Sequence, residues 1–278
     1  MLSRPCRRLA LPALAAVLGA SGPALAGDSV ATYRVVFDAV WSAQNHPLDF
    51  PNNPHFSGLI GGTHHAGIHF WELGELASPG IESMAETGSK SALTGEVNSA
   101  IGTGEAEFLL SGPGMGNSPG SVSMTFQVSA SHPLASIVSM IAPSPDWFVG
   151  VDSLPLAVAG VWVDEVVVSL APYDSGTDSG VSYNSFNQDT QPPEPIHDLS
   201  DIYPFEGTPP LGTFTFTLVS VEGCLADFND DTFVNTQDVL AFLNAWNAGD
   251  ASADINADQT VNTQDVLAFL NLWTAGCD

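Results

Sequence analysis

The sequence predicts a mainly β protein, a β-sandwich of roughly 190 residues followed by a small pair of α-helices. Two observations carry this. From Ala31 to about Ser220 apolar and polar residues alternate with period two, with glycine and proline between short runs. Near the C-terminus a stretch rich in Asp and Asn occurs twice, and behind each copy the apolar spacing becomes helical.

The strands are read from their alternation. Tyr33, Val35, Phe37, Ala39 and Trp41 alternate with Arg34, Val36 and Asp38, and Val122, Met124, Phe126 and Val128 alternate with small polar residues. Phe214, Phe216 and Leu218 alternate with threonines, and Val161 to Leu170 reads as a further strand. A stretch this long closes one sizeable core, which favours a single sandwich over two domains. One helical interruption is expected after Ser78, where Ser78 caps, Pro79 suits the first turn and Gly88 stops the helix. The proline-rich stretch from Gln191 to Pro210 reads as a long ordered loop, because the alternating strand from Gly212 to Val219 needs a sheet to join.

In the repeat, Asp227, Asn229, Asp231, Asn235 and Asp238 stand at positions 1, 3, 5, 9 and 12, and Asp254, Asn256, Asp258, Asn262 and Asp265 repeat them. That spacing wraps oxygens around calcium, with the main-chain carbonyl of Phe233 or Thr260 at position 7 and Asn235 and Asn262 acting through water. Position 6, where glycine ordinarily makes the sharp turn, is Thr232 in one loop and Gln259 in the other. Acidic Asx turns without metal are the alternative. Behind the loops Val239, Phe242, Leu243 and Trp246, then Val266, Phe269, Leu270 and Trp273, each form an apolar stripe. A single loop and helix has nothing to bury such a stripe against, so the two copies are expected to pack as a pseudo-twofold pair.

From about Cys224 to Cys277 this pattern resembles dockerin, the small EF-hand-like module that docks onto cohesin domains. The resemblance implies an anchoring tail with two Ca2+ ions and a cohesin-like or cell-surface partner.

Arg4, Arg7 and Arg8 precede an apolar run from Leu9 to Leu18 and the small-residue site Ala24-Leu25-Ala26, which predicts a secretory signal over residues 1–26. No stretch approaches the roughly 20 apolar residues of a membrane span. Without the signal only Arg34 and Lys90 remain basic against 31 acidic residues. Nucleic acid and anionic membranes are thereby excluded as partners, whereas bound cations offset the self-repulsion. Cys6 leaves with the signal, and Cys224 and Cys277 bracket the repeat, which in an oxidising compartment predicts a disulfide closing the tail. The expected division is a sandwich over 27–222 and a tail over 223–278.

A second resemblance rests on unusual strings recurring in order. They are Trp41-Ser42, His46-Pro47, His55 to Ser57, Ile60 to His64, Trp71-Glu72, Ala85 to Gly88, Met140 to Gly150 and Tyr173 to Gly180. From Ala31 to Val219 the chain resembles the spondin N-terminal domain of the F-spondin and mindin family. The resemblance implies a C2-like antiparallel sandwich, an extracellular adhesion or matrix role, and calcium at one end of the sandwich. The matching positions are Asp146, Asp174 and Asp178, with the Gly176 carbonyl as a further ligand. Spacing alone also allows ordinary Asx turns there.

Other constellations are weaker. His46, His55, His64, His65 and His69 lack zinc-site spacing and read as hydrogen-bonded loop histidines. Glu72 and Glu75 form a carboxylate pair, but nothing in their spacing marks a sugar cleft, and no nucleophile elbow is present. Trp147 and Phe148 read as a strand with at least one ring in the core. No catalytic role is therefore expected. The chain reads as a secreted or cell-surface calcium-binding adhesion protein, whose sandwich contacts an extracellular protein or glycan and whose tail anchors it. The alternative is a non-catalytic carbohydrate-binding component of a cohesin–dockerin assembly that degrades polysaccharide.

Overall fold

The computed structural model describes residues 16–17, 30–158, 161–222, 225–229, 231, 233–256 and 260–276. In chain order these form β1 (Ala16–Val17), β2 (Val30–Ala39), β3 (His55–Phe56), β4 (Ile60–His64), α1 (Pro79–Thr87) and α2 (Ser91–Thr103). There follow β5 (Ala106–Ser111), β6 (Gly120–Ser129), β7 (Leu134–Ala142), β8 (Trp147–Pro155), β9 (Ala157–Val158) and β10 (Val161–Trp162). The last are β11 (Glu165–Ser169), β12 (Tyr173–Asp174), β13 (His197–Asp198), β14 (Gly212–Glu222), α3 (Thr236–Ala248) and α4 (Thr263–Ala275).

One antiparallel sheet has the order β1-β11-β14-β2-β6. At its centre β14 runs along β2 from Gly212 opposite Ala39 to Glu222 opposite Val30, so the ends of the sandwich close on each other. The second sheet has the order β13-β12-β8-β7-β4-β5, with β3 also on β7, and β9 and β10 form a separate ribbon. Between the sheets lies a core that includes Tyr33, Val35, Phe37, Phe214 and Phe216 from one side and Ile137, Ile141, Val149 and Val151 from the other. The alternation along β2 and β14 dictates this, since every second side chain points inward.

The second sheet is covered on its other face as well. Val138, Met140 and Phe148 meet Ile81, Met84, Leu93 and Val97 of α1 and α2, making a second core and a three-layer arrangement. Trp147 and Phe148 are both buried, on opposite faces of β8. Where β7 meets β8, the pair Asp152 and Ser153 stands opposite the single Ser136, a β-bulge in which Ser153 takes φ 49°.

Helix α1 forms as the sequence predicts: the Ser78 Oγ accepts from the Ile81 N–H at 3.2 Å, and Gly88 stops the helix at φ 69°. Helix α2 is an addition that the sequence did not announce. Its Gly95, Gly102 and Asn98 dilute helix propensity, and Lys90 gives it no side-chain cap, so packing of Leu93 and Val97 must hold it. The expected strand from Val161 to Leu170 is divided at Val163 and Asp164. There the buried Tyr33 hydroxyl lies 2.9 Å from the Leu156 carbonyl and 2.5 Å from that of Val163, fixing the turn between β10 and β11. The stretch from Gln191 to Pro210 is an ordered loop carrying β13.

Both C-terminal helices start in capping boxes, Asn235 with Asp238 and Asn262 with Asp265. Their shared core is smaller than the stripes suggest. Phe242 and Phe269 are fully buried, but Leu243 and Leu270 are 40% and 38% exposed. The rings of the two phenylalanines take the central contact, and the leucines lie beside it, outside the seam. Among the described residues no helix is long and apolar enough to cross a membrane.

Candidate metal centres

At one end of the sandwich the turn from Pro143 to Pro145 and the loop after β12 bring Asp146, Asp174 and Asp178 around one loop. Asp146 is completely buried. Its Oδ2 accepts from the Ser175 hydroxyl at 2.9 Å, the Thr177 N–H at 2.8 Å and the Asp178 N–H at 3.0 Å, whereas its Oδ1 has no hydrogen-bond partner. Asp174 Oδ1 accepts from the Gly176 N–H at 2.8 Å and Asp178 Oδ1 from the Gly180 N–H at 2.7 Å, so both residues do make Asx turns. Gly176 takes φ +76°, and a Cβ there would stand 2.0 Å from the Glu194 carbonyl oxygen, which requires glycine. The Gly176 carbonyl accepts from the Glu194 N–H at 2.9 Å and keeps a second lone pair.

The loop rests on an aromatic floor. Trp147 packs on Tyr183 and Phe205 at 5.2 and 5.3 Å, and its indole N–H donates to Asp174 Oδ2 at 3.1 Å. Burial, and next the charge of Asp146, push the Asp174 carboxyl up to about 6. A cavity of about 430 Å³ opens beside Asp174 and Asp178, lined in part by Val181, Glu194, His197 and Tyr203. A buried carboxylate oxygen without a donor, next to a second carboxylate that burial disfavours, suits a hard cation with oxygen ligands.

In the tail Asp227, Asp231 and Asp238 each offer a carboxylate oxygen within 4.8 Å of the others, the only such trio among the described residues. The sandwich carboxylates are therefore spread more widely than those of the first tail loop. Asn229 joins through its N–H to Asp238 Oδ1 at 3.2 Å. The Phe233 carbonyl accepts from the Asn235 Nδ2 at 3.0 Å, and the Thr260 carbonyl from the Asn262 Nδ2 at the same distance. Asn235 and Asn262 are also helix caps, with their Oδ1 atoms accepting from the Gln237 and Gln264 N–H groups at 2.8 and 2.7 Å. In the second loop Asp265 accepts from the Asn262 N–H at 2.8 Å and the Asn256 N–H at 3.3 Å. These bonds hold its carboxyl below the usual carboxylate range. The all-oxygen donor set fits calcium. Asp258, Thr232, Gln259, both cysteines of the expected bridge (Cys224 and Cys277), and Gly27 lie outside the described residues, whereas Asp254, the first residue of the second loop, is described.

Glu86 escaped the sequence reading. It lies within the string from Ala85 to Gly88, yet only the packing of α1 brings it near the carboxylates of Asp146 and Asp178. Burial, with the charges of Glu82, Asp146 and Asp178, raises its carboxyl above the usual range. The five histidines are hydrogen-bonded, as expected. His64 Nδ1 donates to the His65 carbonyl at 2.9 Å, which leaves Nε2 to accept from the buried Ser136 hydroxyl at 2.8 Å. The Ser136 oxygen also accepts from the Ser153 N–H at 2.8 Å. Glu72 and Glu75 are exposed.

Residues 31–211 match the family described as Spondin_N. Spondin-2 of Homo sapiens is 35% identical over 204 residues, which cover 69% of this chain and 61% of the relative. Spondin-2 of Rattus norvegicus is 34% identical over 228 residues, covering 73% and 68%. Spondin-1 of Mus musculus is 36% identical over 180 residues, covering 62% of this chain but 22% of the relative. The chain thus spans about three fifths of human Spondin-2 and about a fifth of Spondin-1.

Proposed function

This chain belongs to the Spondin_N family and is a secreted, extracellular protein, and we propose that it is a calcium-binding, non-catalytic adhesion or matrix-type protein. In this reading Asp146, Asp174 and Asp178, with the Gly176 carbonyl, hold one calcium ion at the end of the sandwich. The tail, with its two loops, holds two more and acts as a dockerin-like anchor. The observation that carries the reading is the buried, unmatched Oδ1 of Asp146, which in an empty site would forfeit its hydration without compensation. With the ion in place, the cavity beside Asp174 and Asp178 offers an extracellular protein or glycan a surface shaped by calcium. The exposed Leu240, Leu243, Leu267 and Leu270 give the tail an apolar face suited to docking on a cohesin-like or cell-surface protein.

The mature chain, titrated with calcium in a calorimeter, should take up three ions, and its adhesion to extracellular matrix should vanish in chelator. Absence of calcium uptake would overturn the reading.

A further inference from the structure

The loop after β12 leaves the sandwich and returns as a rigid arm. The Thr190 N–H donates to the Thr177 carbonyl at 2.8 Å and the Ser179 N–H to the Gln188 carbonyl at 2.9 Å, so the two sides of the loop pair like a short hairpin. Asp178 clamps both sides at the root, its Oδ1 accepting from the Gly180 N–H at 2.7 Å and its Oδ2 from the Gln188 N–H at 3.0 Å. A Cβ on Gly180 would stand 2.7 Å from the Pro145 Cγ, so glycine lets the arm rest on the turn beneath it. At the tip the Ser185 N–H closes a turn on the Ser182 carbonyl at 3.1 Å, and the buried Tyr183 anchors the arm against Trp41, Trp147 and Phe205. On either side of that anchor Val181 and Phe186 are 74% and 95% exposed, the two most exposed large apolar side chains among the described residues. They contribute nothing to the core of this fold, whereas a partner closing over them would bury them without first having to order the arm.

Val181 also lines the cavity beside Asp174 and Asp178, with Glu194, Leu199, Ile202 and Tyr203 on its other walls. The charge there has one sign. Glu194 lines the cavity, Asp189 lies on the arm and Asp201 adjoins Ile202, and all three are exposed. Beyond the export signal the only bases are Arg34 and Lys90, which are held at Ser123 and at Ser111 and Gly112, and neither lines the cavity.

We propose that the arm and cavity dock a segment of an extracellular protein in which arginine or lysine alternates with apolar residues. The basic side chain enters the cavity toward Glu194 with its stem against Leu199 and Ile202, and its apolar neighbours close over Phe186 and Val181. An acidic wall without a base of its own is complementary to such a segment. A neutral sugar gains nothing from that charge, and an anionic lipid surface is repelled by it. Arginine suits the cavity best, since its guanidinium pairs with a carboxylate while its plane lies on a ring such as that of Tyr203. The aromatic tip then supplies most of the affinity, and the carboxylates supply orientation and encounter rate. The proposal rests on the reading that the sandwich contacts an extracellular protein.

The probe is a fluorescein-labelled peptide of alternating leucine and arginine, added to the mature chain in calcium and followed by fluorescence polarisation. This peptide should bind, and one with glutamate in place of arginine should not. Phe186→Ser removes no charge and alters an exposed side chain, so the fold is kept. It should weaken the arginine peptide about ten-fold, as loss of a central aromatic contact does. Glu194→Gln should weaken it about three-fold and reduce its salt dependence. Equal affinity in parent and Phe186→Ser would mean that diffuse acidity alone attracts the peptide, and it overturns the proposal, as does absence of binding. Binding of cellohexaose that Phe186→Ser abolishes would assign the arm to glycans and overturn it equally. Matrix adhesion measured on the same proteins separates the arm from the broader reading. Equal adhesion by parent and Phe186→Ser overturns the arm and leaves adhesion standing. A parent that does not adhere, while the arginine peptide binds through Phe186, overturns adhesion and leaves the arm standing.

Discussion

The rings of Phe242 and Phe269 stack face to face with centroids 4.2 Å apart and planes 11° from parallel, while Phe228 meets both edge-on at 5.4 and 5.8 Å. They occupy the same place in the two repeats, so the pseudo-twofold relation passes between their faces. Among the described residues of the tail, the buried members of this cluster are these two rings and Ala253. Phe242→Ala should cost about 3–5 kcal/mol, as large core truncations do. In hydrogen exchange on the mature chain, α3 and α4 should lose protection together while β2 and β14 keep theirs. Protection retained in both helices would contradict the arrangement.

At the sandwich site, replacing Asp174 and Asp178 together by Asn should act in opposite directions with and without calcium. Without the ion the variant should melt at or above the parent, because a buried carboxylate that burial disfavours has been neutralised. With calcium, at about a hundred times its dissociation constant, the parent should gain about 2.7 kcal/mol, or roughly 5–10 °C, and the variant little. Scanning fluorimetry of the sandwich transition measures both, and equal calcium shifts in parent and variant would refute the site.

Asp146→Ala should behave differently. Its Oδ2 takes the N–H groups of Thr177 and Asp178, which the substitution leaves buried without an acceptor. A loss of about 2–4 kcal/mol is expected in chelator as well as in calcium, read as a lower urea midpoint.

His46 and His64 are buried, and burial lowers both below the ordinary imidazole value of 6.5. The unfolded chain therefore binds protons more readily, so their contribution is complete above pH 6.5 and is lost as pH falls toward the folded values. The slope is at most about 1.4 kcal/mol per pH unit for each residue. Urea melts from pH 8 to 5 in saturating calcium, which keeps Asp174 ionised, should show this decline, and His64→Gln should flatten it. Stability constant across that range would exclude the assignment.

Tyr33→Phe should cost about 1–2 kcal/mol, since the Leu156 and Val163 carbonyls lose their shared buried donor. The loss should appear in the sandwich melt and be equal with and without calcium.

Much of the fold was legible because alternation is local. The inward residues of β2 from Ala31 to Ala39 follow from spacing alone, and Ser78, Pro79 and Gly88 delimit α1 through backbone chemistry. Helix α2 was not legible, since its glycines and weak cap hide a segment that only its neighbours make helical. The site divided in the same way. Asp174 and Asp178 stand close in sequence, and the resemblance pointed to Asp146. Glu86, by contrast, reaches the loop from α1 across tertiary packing that no spacing records. The exposure of Leu243 and Leu270 was likewise hidden, because a helical stripe tells which side is apolar and not how much of it the partner covers.

Strand β7 is apolar on both faces, with Ile137 and Ile141 toward one core and Val138 and Met140 toward the other. In most sheets a slip of one residue is punished because it turns apolar side chains into water, but here it would merely exchange one greasy face for another. Some other feature must index the strand. The Ser136 hydroxyl, meshed with His64 on β4 and with the bulged Ser153 on β8, is a tooth that fits a single notch on each of these neighbours. A hydrogen-bonded serine and histidine serve here as a gauge of alignment, keeping β8 in step so that Trp147 arrives under Asp174.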